Sequence, residues 1–473
     1  MMGPFILSVI AGATFVIFLR YGWFLLTVTI NGLSRARPTR YSPAARPEDE
    51  HVQILVLGDI GRSPRMQYHA ISLVKMGRKV DLIGYKETAR HPELIGKPNV
   101  ELHALTPTPE WITWGNLPFF LTIPCKVIIQ FWTLWSTLAY KTEPARWIIL
   151  QNPPSIPTFH VALIIAWLRG SKVLVDWHNY GHTLLATGSA LKKPLVPIYK
   201  RYETFLGRYL GDANLAVTDA MAEQLREPPF KISSPVYTLH DRPAEIFQPI
   251  LSKEARLAFL TKLAETKSDA KNIVEGNVRL LVSSTSWTPD EDFQILLDAL
   301  VEYANPQADD TKPEGEPPSP ILAIITGKGP QKDHYIAKIK ELQEQGSLPG
   351  VRVLTAWLSN RDYASLLASA DLGISLHKSS SGVDLPMKVV DMFGAGLPVA
   401  AYSAFESFGE LVKEGENGRG FETAGELAAI FRTLLSMSGA KTLAGLKEGA
   451  VREGSLRWDE EWNRVVKPIV EGS

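Results

Sequence analysis

The stretch SSSGVDLPMKVVDMFGAGLPV, residues 379–399, predicts the fold of the C-terminal half of the chain. It follows the run ADLGISLH, which is typical of a buried strand that ends at the carboxyl edge of a parallel sheet. Pro386 suits the first turn of a following helix, and Asp384 or Ser381 is expected to cap that helix. The segment from Gly394 to Pro398 should end the helix before the next apolar run, PVAAY.

The start of this predicted helix is a candidate binding site. Free backbone N–H groups at a helix N-terminus attract anions, and the helix dipole adds to the attraction. Asp391 lies about a turn and a half inside the helix, where its carboxylate can accept hydrogen bonds from the hydroxyls of a ribose. The alternative is an ordinary strand, turn and helix with an exposed acid. The segment alone does not separate the two.

Length and composition predict two domains and exclude some classes of function. A chain of 473 residues is too long for one ordinary core, so two α/β domains are expected. The 50 basic and 50 acidic residues give no net charge, which removes any global argument for nucleic-acid binding. The single cysteine, Cys125, excludes an intrachain disulfide and suits a reducing compartment. It also leaves no cysteine cluster for a metal.

The N-terminus predicts a membrane anchor. Phe5 to Ile30 is almost wholly apolar, is interrupted by Arg20, and is long enough to cross a bilayer. No basic residue precedes the run and no clear cleavage site follows it, so an uncleaved anchor is favoured over a signal peptide. Arg35, Arg37 and Arg40 follow the span, and the positive-inside rule therefore places the body of the chain in the cytoplasm.

A second apolar region, Trp111 to Tyr140, is rich in aromatic residues. Tryptophan and tyrosine at this density are typical of a membrane interface. The alternative is a large buried helix hairpin.

Strands and helices alternate along the rest of the chain, as in a parallel sheet. The fold class is therefore α/β, with two Rossmann-like doubly wound domains that face a central cleft. The predicted strands are VQILVLG, KVDLIGY, ARWIILQ and SKVLVDW in the first half, and RLLVSST, ILAIITG, VRVLTAW, LGISLH and PVAAYS in the second. The predicted domains are an anchor (1–34), a linker (35–50), a first domain (51–249), a polar insertion (250–276), a second domain (277–454) and a closing helix (455–473) that packs on the first domain or stands alone. Gln307 to Pro320 is expected to be disordered.

The loop after the first strand, Gly58 to Arg65, is a candidate phosphate site. It lacks the G-x-G-x-x-G spacing, so a nicotinamide-binding fingerprint is not supported. Gly61 would allow a ligand to approach the backbone, Arg62 and Arg65 would hold a phosphate, and Asp59 would act as a base. The alternative is an Asp cap beside two solvated arginines.

Further polar loops follow other strands. Asp176 to Gly181 reads DWHNYG, in which His178 is either a hydrogen-bonded structural residue or a catalytic one that contacts a sugar. In the second half, Ser283 to Asp292 forms one such loop, and Thr326 to Pro330 forms another with Lys328 placed to neutralise a diphosphate. Each is an ordinary surface loop when taken singly, but together they favour a nucleotide-diphosphate site.

Five motifs together resemble one known family. They are GDIGRSPRMQYHA (58–70), DWHNYG (176–181), SSTSWTPDEDF (283–293), TGKGP (326–330) and the stretch at 379–399. The chain resembles the β-mannosyltransferases that add the first mannose to chitobiosyl-diphosphodolichol in N-glycan assembly, a GT-B glycosyltransferase family. The order and spacing of the five motifs match this family along nearly the whole chain after the predicted anchor.

The resemblance implies an inverting transferase on the cytosolic face of the endoplasmic reticulum, anchored by one span. It implies GDP-mannose as donor, the dolichol-linked chitobiose as acceptor, and a β1,4 linkage as product. It implies no required metal, although a divalent cation can stimulate the reaction. Partners are the membrane and other early-pathway mannosyltransferases or a second copy of the chain, with no nucleic acid.

The resemblance also assigns residues. Retaining GT-B families place two glutamates eight positions apart at this helix, whereas here Asp391 occupies the second position and Val383 the first, with Asp384 one residue late. This departure favours inversion, with Asp59 as the first candidate for the base and His178 as the second. The donor-binding set is Ser284, Thr285, Lys328, Asp384, Lys388 and Asp391, and the acceptor or phosphate set is Gly61, Arg62 and Arg65. The alternatives are a retaining α-mannosyltransferase of the same pathway and a non-catalytic GT-B scaffold.

Overall fold

The structure is a computed structural model that describes residues 38–113, 119–188, 190–288, 291–305 and 318–472. The predicted anchor lies outside the described residues, as does most of the loop predicted to be disordered. Across the described ranges, no helix combines the length and apolar character that a bilayer crossing requires.

The chain folds as two units. The first contains the described residues up to Ala216, together with Ala222–Tyr237 and the chain from Val466 onward. The second contains Val217–Met221 and Thr238–Val465. Residues 238–249, which the sequence analysis placed in the first domain, therefore belong to the second unit.

The first unit is built on a seven-stranded sheet in the order β3-β2-β1-β4-β5-β6-β7. Its strands are β1 (His51–Asp59), β2 (Lys79–Tyr85), β3 (Val100–Ala104), β4 (Trp147–Asn152), β5 (Lys172–Trp177), β6 (Ala213–Ala216) and β7 (Val236–Thr238). Its helices are α1 (Pro64–Lys75), α2 (Glu110–Thr113), α3 (Phe119–Ser136), α4 (Thr158–Arg169), α5 (Gly181–Thr187), α6 (Val196–Leu210), α7 (Asp219–Arg226, shared with the second unit) and a closing α18 (Lys467–Glu471). The ladders from β3 to β6 are parallel.

The second unit is built on a six-stranded parallel sheet in the order β10-β9-β8-β11-β12-β13. Its strands are β8 (Arg279–Ser284), β9 (Ile321–Thr326), β10 (Val351–Ala356), β11 (Leu372–Ser375), β12 (Val399–Tyr402) and β13 (Gly418–Phe421). Its helices are α8 (Lys253–Lys262), α9 (Ala270–Glu275), α10 (Phe293–Ala304), α11 (Lys332–Glu344), α12 (Asn360–Ser369), α13 (Met387–Gly394), α14 (Phe408–Leu411), α15 (Ala424–Leu435), α16 (Ala440–Gly454) and α17 (Trp458–Val465).

Both sheets share the doubly wound strand order 3-2-1-4-5-6, counted within each unit. The order reverses between β1 and β4 in the first unit and between β8 and β11 in the second. Ligands of such folds bind outside the carboxyl ends of the strands at this switch point. The loops that follow these four strands are therefore the places to look for a site.

All nine predicted strands are present, and the α/β class with two Rossmann-like domains is confirmed. The apolar runs are buried on both faces, as parallel sheets require; Val52 to Leu57 in β1 is an example. The sequence analysis did not identify β3, β6, β7 or β13. These strands are short, and each carries polar or glycine residues that weaken the apolar signal.

The helix predicted from residues 379–399 is α13, and it ends at Gly394 as expected. Its N-cap is Pro386, which is extended and makes no side-chain capping hydrogen bond. The prediction that Asp384 or Ser381 caps the helix is therefore wrong. Their side chains bond each other at 3.2 Å instead, because Asp384 folds back onto its own loop.

The aromatic region divides into a buried side and an exposed side. Phe131 and Trp135 of α3 are buried in the first unit, whereas Trp132 and, in the following turn, Tyr140 are more than half exposed. Trp111 on α2 is exposed as well. The buried side packs within the first unit, and the entry of the exposed side into a membrane interface stays a prediction.

Candidate active site

Asp59 ends β1, and its carboxylate accepts four hydrogen bonds. Oδ1 accepts from the amides of Gly61, Glu87 and Thr88 at 3.3, 3.1 and 3.2 Å, and Oδ2 accepts from the Thr88 hydroxyl at 2.5 Å. Burial opposes ionisation, but these hydrogen bonds outweigh it and hold the pKa of Asp59 below its usual value. A carboxylate held in this way is a weak base. The carboxylate of Asp59 joins β1 to segment 87–88, and its role as a base stays a prediction.

Gly61 was predicted to admit a phosphate, but its own chain fills the space. A Cβ at this position would collide with Thr88 Oγ1 and with the carbonyl oxygen of Ala89. The close approach of segment 88–89 explains why glycine is needed here, and the contact of Gly61 with a phosphate stays a prediction. Arg62, by contrast, has a side chain that is 74% exposed and lies 3.6 Å from Asp59 Oδ2. Its phosphate role stays a prediction.

Asp176, at the end of β5, is the centre of a buried charged network. Arg65 donates to it twice, from Nε to Oδ2 at 2.8 Å and from Nη2 to Oδ1 at 3.0 Å. His69 Nε2 lies 3.0 Å from Oδ2. Because the Arg65 guanidinium is buried in this pair, its predicted phosphate contact is wrong. Arg65 instead fixes Asp176.

His178 extends the network towards solvent. Its Nε2 lies 3.0 Å from Asp176 Oδ2, and its side chain is 22% exposed. Burial opposes the ionisation of Asp176, but Arg65, His178 and His69 hold the pKa of this carboxyl well below its usual range. An ionised Asp176 only accepts hydrogen bonds, so Nε2 of His178 carries the proton of this contact. Within the described ranges Nδ1 has no hydrogen-bond partner.

Hydrogen bonds also fix the backbone of His178. Its N–H donates to the carbonyl of Asn152, at the end of β4, at 2.9 Å. Asn152 Nδ2 in turn donates to the carbonyl of Asn179 at 3.2 Å and to the buried carboxylate of Glu203 at 3.0 Å. Glu203 also accepts from Ser155 Oγ, Gly181 N and His182 Nδ1. Hydrogen bonds therefore fix the 176–182 loop at His178 and on its C-terminal side.

In the second unit, the loop after β8 holds two of the predicted donor-binding residues. Ser284 Oγ lies 2.7 Å from Tyr363 Oη and 3.2 Å from Thr326 Oγ1. Thr285 is buried, donates from its hydroxyl to Glu291 at 2.7 Å and accepts from the Trp287 amide at 3.0 Å. We therefore correct the prediction for Thr285, whose hydroxyl shapes the loop. The role of Ser284 stays a prediction.

Glu291, which the sequence analysis did not identify, joins three parts of this site. Its buried carboxylate accepts from Thr285 Oγ1 and the Ser286 amide of the β8 loop and forms an ion pair with Lys388 at the start of α13. Lys388 Nζ also donates to Ser286 Oγ at 3.2 Å. A bridge joins the backbones of Glu291 and His377. Glu291 thereby positions Lys388, whose donor contact stays a prediction.

The loop after β9 lies against the loop after β8. Gly327 has φ +127°, and a Cβ there would collide with the carbonyl of Thr285, so this position needs glycine. Lys328 follows it with Nζ 3.9 Å from the centre of the exposed Trp357 ring. The ring fixes the direction of the ammonium group, which stays a candidate for the diphosphate.

Asp384 organises the loop between β11 and α13. It accepts from the hydroxyls of Ser379 and Ser381 and lies 3.3 Å from His377 Nε2. Burial opposes its ionisation, but His377 and the two serines hold the pKa of Asp384 below its usual value. Its contact with a sugar stays a prediction.

Asp391 has the surroundings expected of a group that binds a ligand. It is half-buried on α13, and in the described part of the chain its carboxyl makes no hydrogen bond. Burial, together with the nearby Asp241, raises the pKa of Asp391 to about 8. Burial and the proximity of Asp391 also raise the pKa of the Tyr363 hydroxyl. Its role as a ribose acceptor stays a prediction that this geometry supports.

Solved structures identify the class of this fold. Sucrose-phosphate synthase from Thermosynechococcus elongatus matches with a TM-score of 0.61 at 14% identity, over 88% of this chain and 97% of that one. Two doubly wound units of this kind define the GT-B glycosyltransferase fold. No family model matches the chain.

Curated relatives identify the family. The chain is 46% identical over 381 residues to the chitobiosyldiphosphodolichol beta-mannosyltransferase of Arthroderma benhamiae, which covers 80% of this chain and 83% of the relative. It is 40% identical over 446 residues to the Homo sapiens protein of the same name, covering 89% and 92%. The chain belongs to the chitobiosyldiphosphodolichol beta-mannosyltransferase family and is a glycosyltransferase.

Proposed function

We propose that this chain transfers mannose from GDP-mannose to the 4-hydroxyl of the distal sugar of chitobiosyl-diphosphodolichol, with inversion to a β1,4 linkage. The observation that carries the mechanism is the Asp176–His178 pair at the carboxyl edge of the first sheet. It supplies an oriented imidazole, while membership of the family supports the acceptor.

His178 is the proposed general base. In a single displacement, the acceptor oxygen attacks the anomeric carbon as its proton passes to His178 Nδ1, and the bond to GDP breaks. The resulting imidazolium is stabilised by the ionised Asp176, which Arg65 holds in place. This role favours the second sequence candidate over Asp59, whose carboxylate is taken up by four hydrogen bonds.

The second unit is the proposed donor-binding half. Asp391 would accept from the ribose hydroxyls, and the start of α13 would face the diphosphate. Lys388 and Lys328 would neutralise the charge that develops on departing GDP. Glu291 positions Lys388, and the Trp357 ring positions Lys328. Arg62 in the first unit would meet the diphosphate of the acceptor. No metal is assigned to the transfer step in this proposal, and a divalent cation is at most stimulatory.

The proposed location is the cytosolic face of the endoplasmic reticulum membrane. The apolar run at residues 5–30 would anchor the chain, and the exposed Trp111, Trp132 and Tyr140 would rest at the membrane interface. Such an arrangement would keep the chain beside a lipid-linked acceptor.

The test is a transfer assay with the purified full chain in detergent. Donors are GDP-mannose, GDP-glucose and UDP-glucose, and acceptors are diphosphate lipids that carry one or two N-acetylglucosamine residues. We expect turnover with GDP-mannose and the two-sugar lipid alone. Preference for another donor, or for the one-sugar lipid, would contradict the proposal. Absence of transfer by folded protein that binds GDP would favour the non-catalytic scaffold.

A further inference from the structure

Three side chains on β2 and β3 form a cluster inside the strands, apart from the loops of the candidate active site. Asp81, Glu101 and His103 each place one ligand atom within 4.8 Å of the others. Asp81 and Glu101 are paired in register on neighbouring parallel strands, and His103 lies two residues further along β3. Because side chains alternate along a strand, all three point to the same face of the sheet.

The distances in this cluster are too long for hydrogen bonds. His103 Nε2 lies 3.5 Å from Asp81 Oδ1 and 3.8 Å from Glu101 Oε1. Hydrogen bonds of this type span about 2.7–3.2 Å. Two ligands of a tetrahedral ion, each about 2.1 Å from it, are about 3.4 Å apart. The spacing therefore suits ligands that share an ion better than a directly bonded pair.

Polar atoms without a hydrogen-bond partner lie beside both oxygens of Asp81. The Asp81 side chain is 4% exposed, and both Asp81 Oδ2 and His103 Nε2 are buried without a hydrogen-bond partner in the described part of the chain. His51 Nδ1 is in the same condition, 3.6 Å from Asp81 Oδ2. Such atoms are rare in folded proteins unless water or an ion meets them. An ion on Oδ1 would leave His51 to orient the other oxygen of Asp81.

A comparable cluster in the second unit lacks this feature. Asp219, His240 and Glu410 also lie within ligand distance of one another. Their atoms, however, are already used: Glu410 accepts from His240 at 3.3 Å and from the amides of Asp219 and Ala220 at 2.6 and 2.8 Å, and Asp219 accepts from Thr238 at 2.5 Å. Hydrogen bonds explain this second cluster without an ion.

We propose that Asp81, Glu101 and His103 bind one divalent transition-metal ion, of the kind that takes imidazole and carboxylate ligands, with Zn²⁺ as the representative. Glu101 is 74% exposed, so the ion can enter from solvent and water can complete its coordination. β3 is the edge strand of the first sheet, and the ion would tie it to β2. The site would stabilise the first unit and take no part in sugar transfer.

The test uses the purified full chain, stripped with EDTA and then freed of it. Zn²⁺ is titrated by calorimetry while the thermal midpoint is followed, and Co²⁺ serves as a spectroscopic probe. We expect one Zn²⁺ per chain, a higher thermal midpoint with Zn²⁺, and visible Co²⁺ bands of tetrahedral intensity, because an ion that binds only the folded chain stabilises it. Wild-type protein that takes up no stoichiometric Zn²⁺ would overturn the proposal.

Two substitutions locate the site. His103→Gln should remove Zn²⁺ binding, and Glu101→Gln, at an exposed position where folding is secure, should weaken it at least tenfold. His240→Gln is the matched control in the second cluster and should leave Zn²⁺ affinity unchanged. Unaltered affinity in both cluster variants, or loss in His240→Gln alone, would contradict the assignment. All three variants should keep wild-type transfer rates at a temperature well below their thermal midpoints.

Discussion

Nε2 of His178 lies 3.0 Å from Oδ2 of Asp176, and the same carboxylate accepts two hydrogen bonds from Arg65. Nδ1 of the same ring has no hydrogen-bond partner in the part of the chain that the structure describes. An acid of strongly lowered pKa therefore fixes both the tautomer and the direction of a histidine at the carboxyl edge of the first sheet. The proposed role of His178 as general base depends on this contact.

Removal of the imidazole should abolish chemistry and spare donor binding. We expect His178→Ala to lower kcat by about 10²–10⁴, the range for loss of a general base. GDP affinity, measured by calorimetry, should stay within twofold of wild type. His334→Ala, which removes an exposed histidine from α11, is the control and should change neither quantity. A kcat within threefold of wild type for His178→Ala would assign the base elsewhere.

Asp59→Asn should act on stability and not on the chemical step. The amide would place an NH2 group against donors that now meet a carboxylate, at an expected loss of about 1–3 kcal/mol in the free energy of unfolding. Because the folded-state pKa of Asp59 is lowered, its stabilisation is present above the unfolded pKa of about 3.9 and is lost as pH falls through the folded value. Denaturation at pH 7 and kcat at low temperature are the measurements. A hundredfold loss of kcat by fully folded Asp59→Asn would return it to the role of base.

Asp391→Asn should stabilise the chain while it weakens donor binding. The raised folded pKa of about 8 means that wild-type stability is lost as pH rises from about 4 to 8. At pH 7 the wild-type chain has lost stability that corresponds to about three pKa units, at about 1.4 kcal/mol each. The variant avoids this loss, but its half-buried amide costs part of the gain. We expect a net gain on the order of 2 kcal/mol at pH 7.

The measurement is the difference in thermal midpoint between Asp391→Asn and wild type as a function of pH. At pH 4 only the cost of the amide remains, so the thermal midpoint of the variant should lie below that of wild type; the difference should change sign as pH rises, grow to pH 8 and then level off. GDP affinity should fall in the same variant, since the amide replaces a carboxylate acceptor for ribose. A difference in thermal midpoint that does not vary with pH would contradict the raised pKa, and unchanged GDP affinity would contradict the ribose role.

Glu291→Gln should weaken donor binding through Lys388. The substitution removes the charge that positions Nζ, and we expect about a tenfold loss of GDP affinity, close to the worth of one hydrogen bond to a charged group. Glu302→Gln, which breaks the exposed pair with Arg432 in the same unit, is the matched control and should have no effect. Equal GDP affinity for Glu291→Gln and wild type would separate Glu291 from the donor site.

The sequence predicted those features that depend on local pattern. Runs such as ILVLG and LLVS predict buried parallel strands because they are apolar on both faces, and the loops between them indicate where a site should lie. By contrast, β13 reads GRGF and carries no such signal. The alternation does not fix the strand order, because doubly wound folds occur with more than one order, and the order 3-2-1-4-5-6 is seen only in the structure.

The errors at the site have a different physical cause. Arg65 was assigned to a phosphate because its nearest neighbours in sequence suggest one, but its partner Asp176 lies 111 residues away. Glu291 lies in an acidic loop and was not predicted as a site residue. Its partner Lys388 lies 97 residues further along the chain. A pairing at such a separation is a property of the folded chain, and a single sequence carries no local mark of it.

The anomeric configuration of the transferred mannose is the most direct test of the inverting mechanism. Purified wild-type chain would be supplied with GDP-mannose and chitobiosyl-diphosphate lipid, and the released trisaccharide digested separately with β-mannosidase and α-mannosidase. We expect complete sensitivity to β-mannosidase and resistance to α-mannosidase, because one displacement at an α-linked donor inverts the anomeric carbon. A product that only α-mannosidase cleaves would contradict the inverting mechanism and the role of His178 in it.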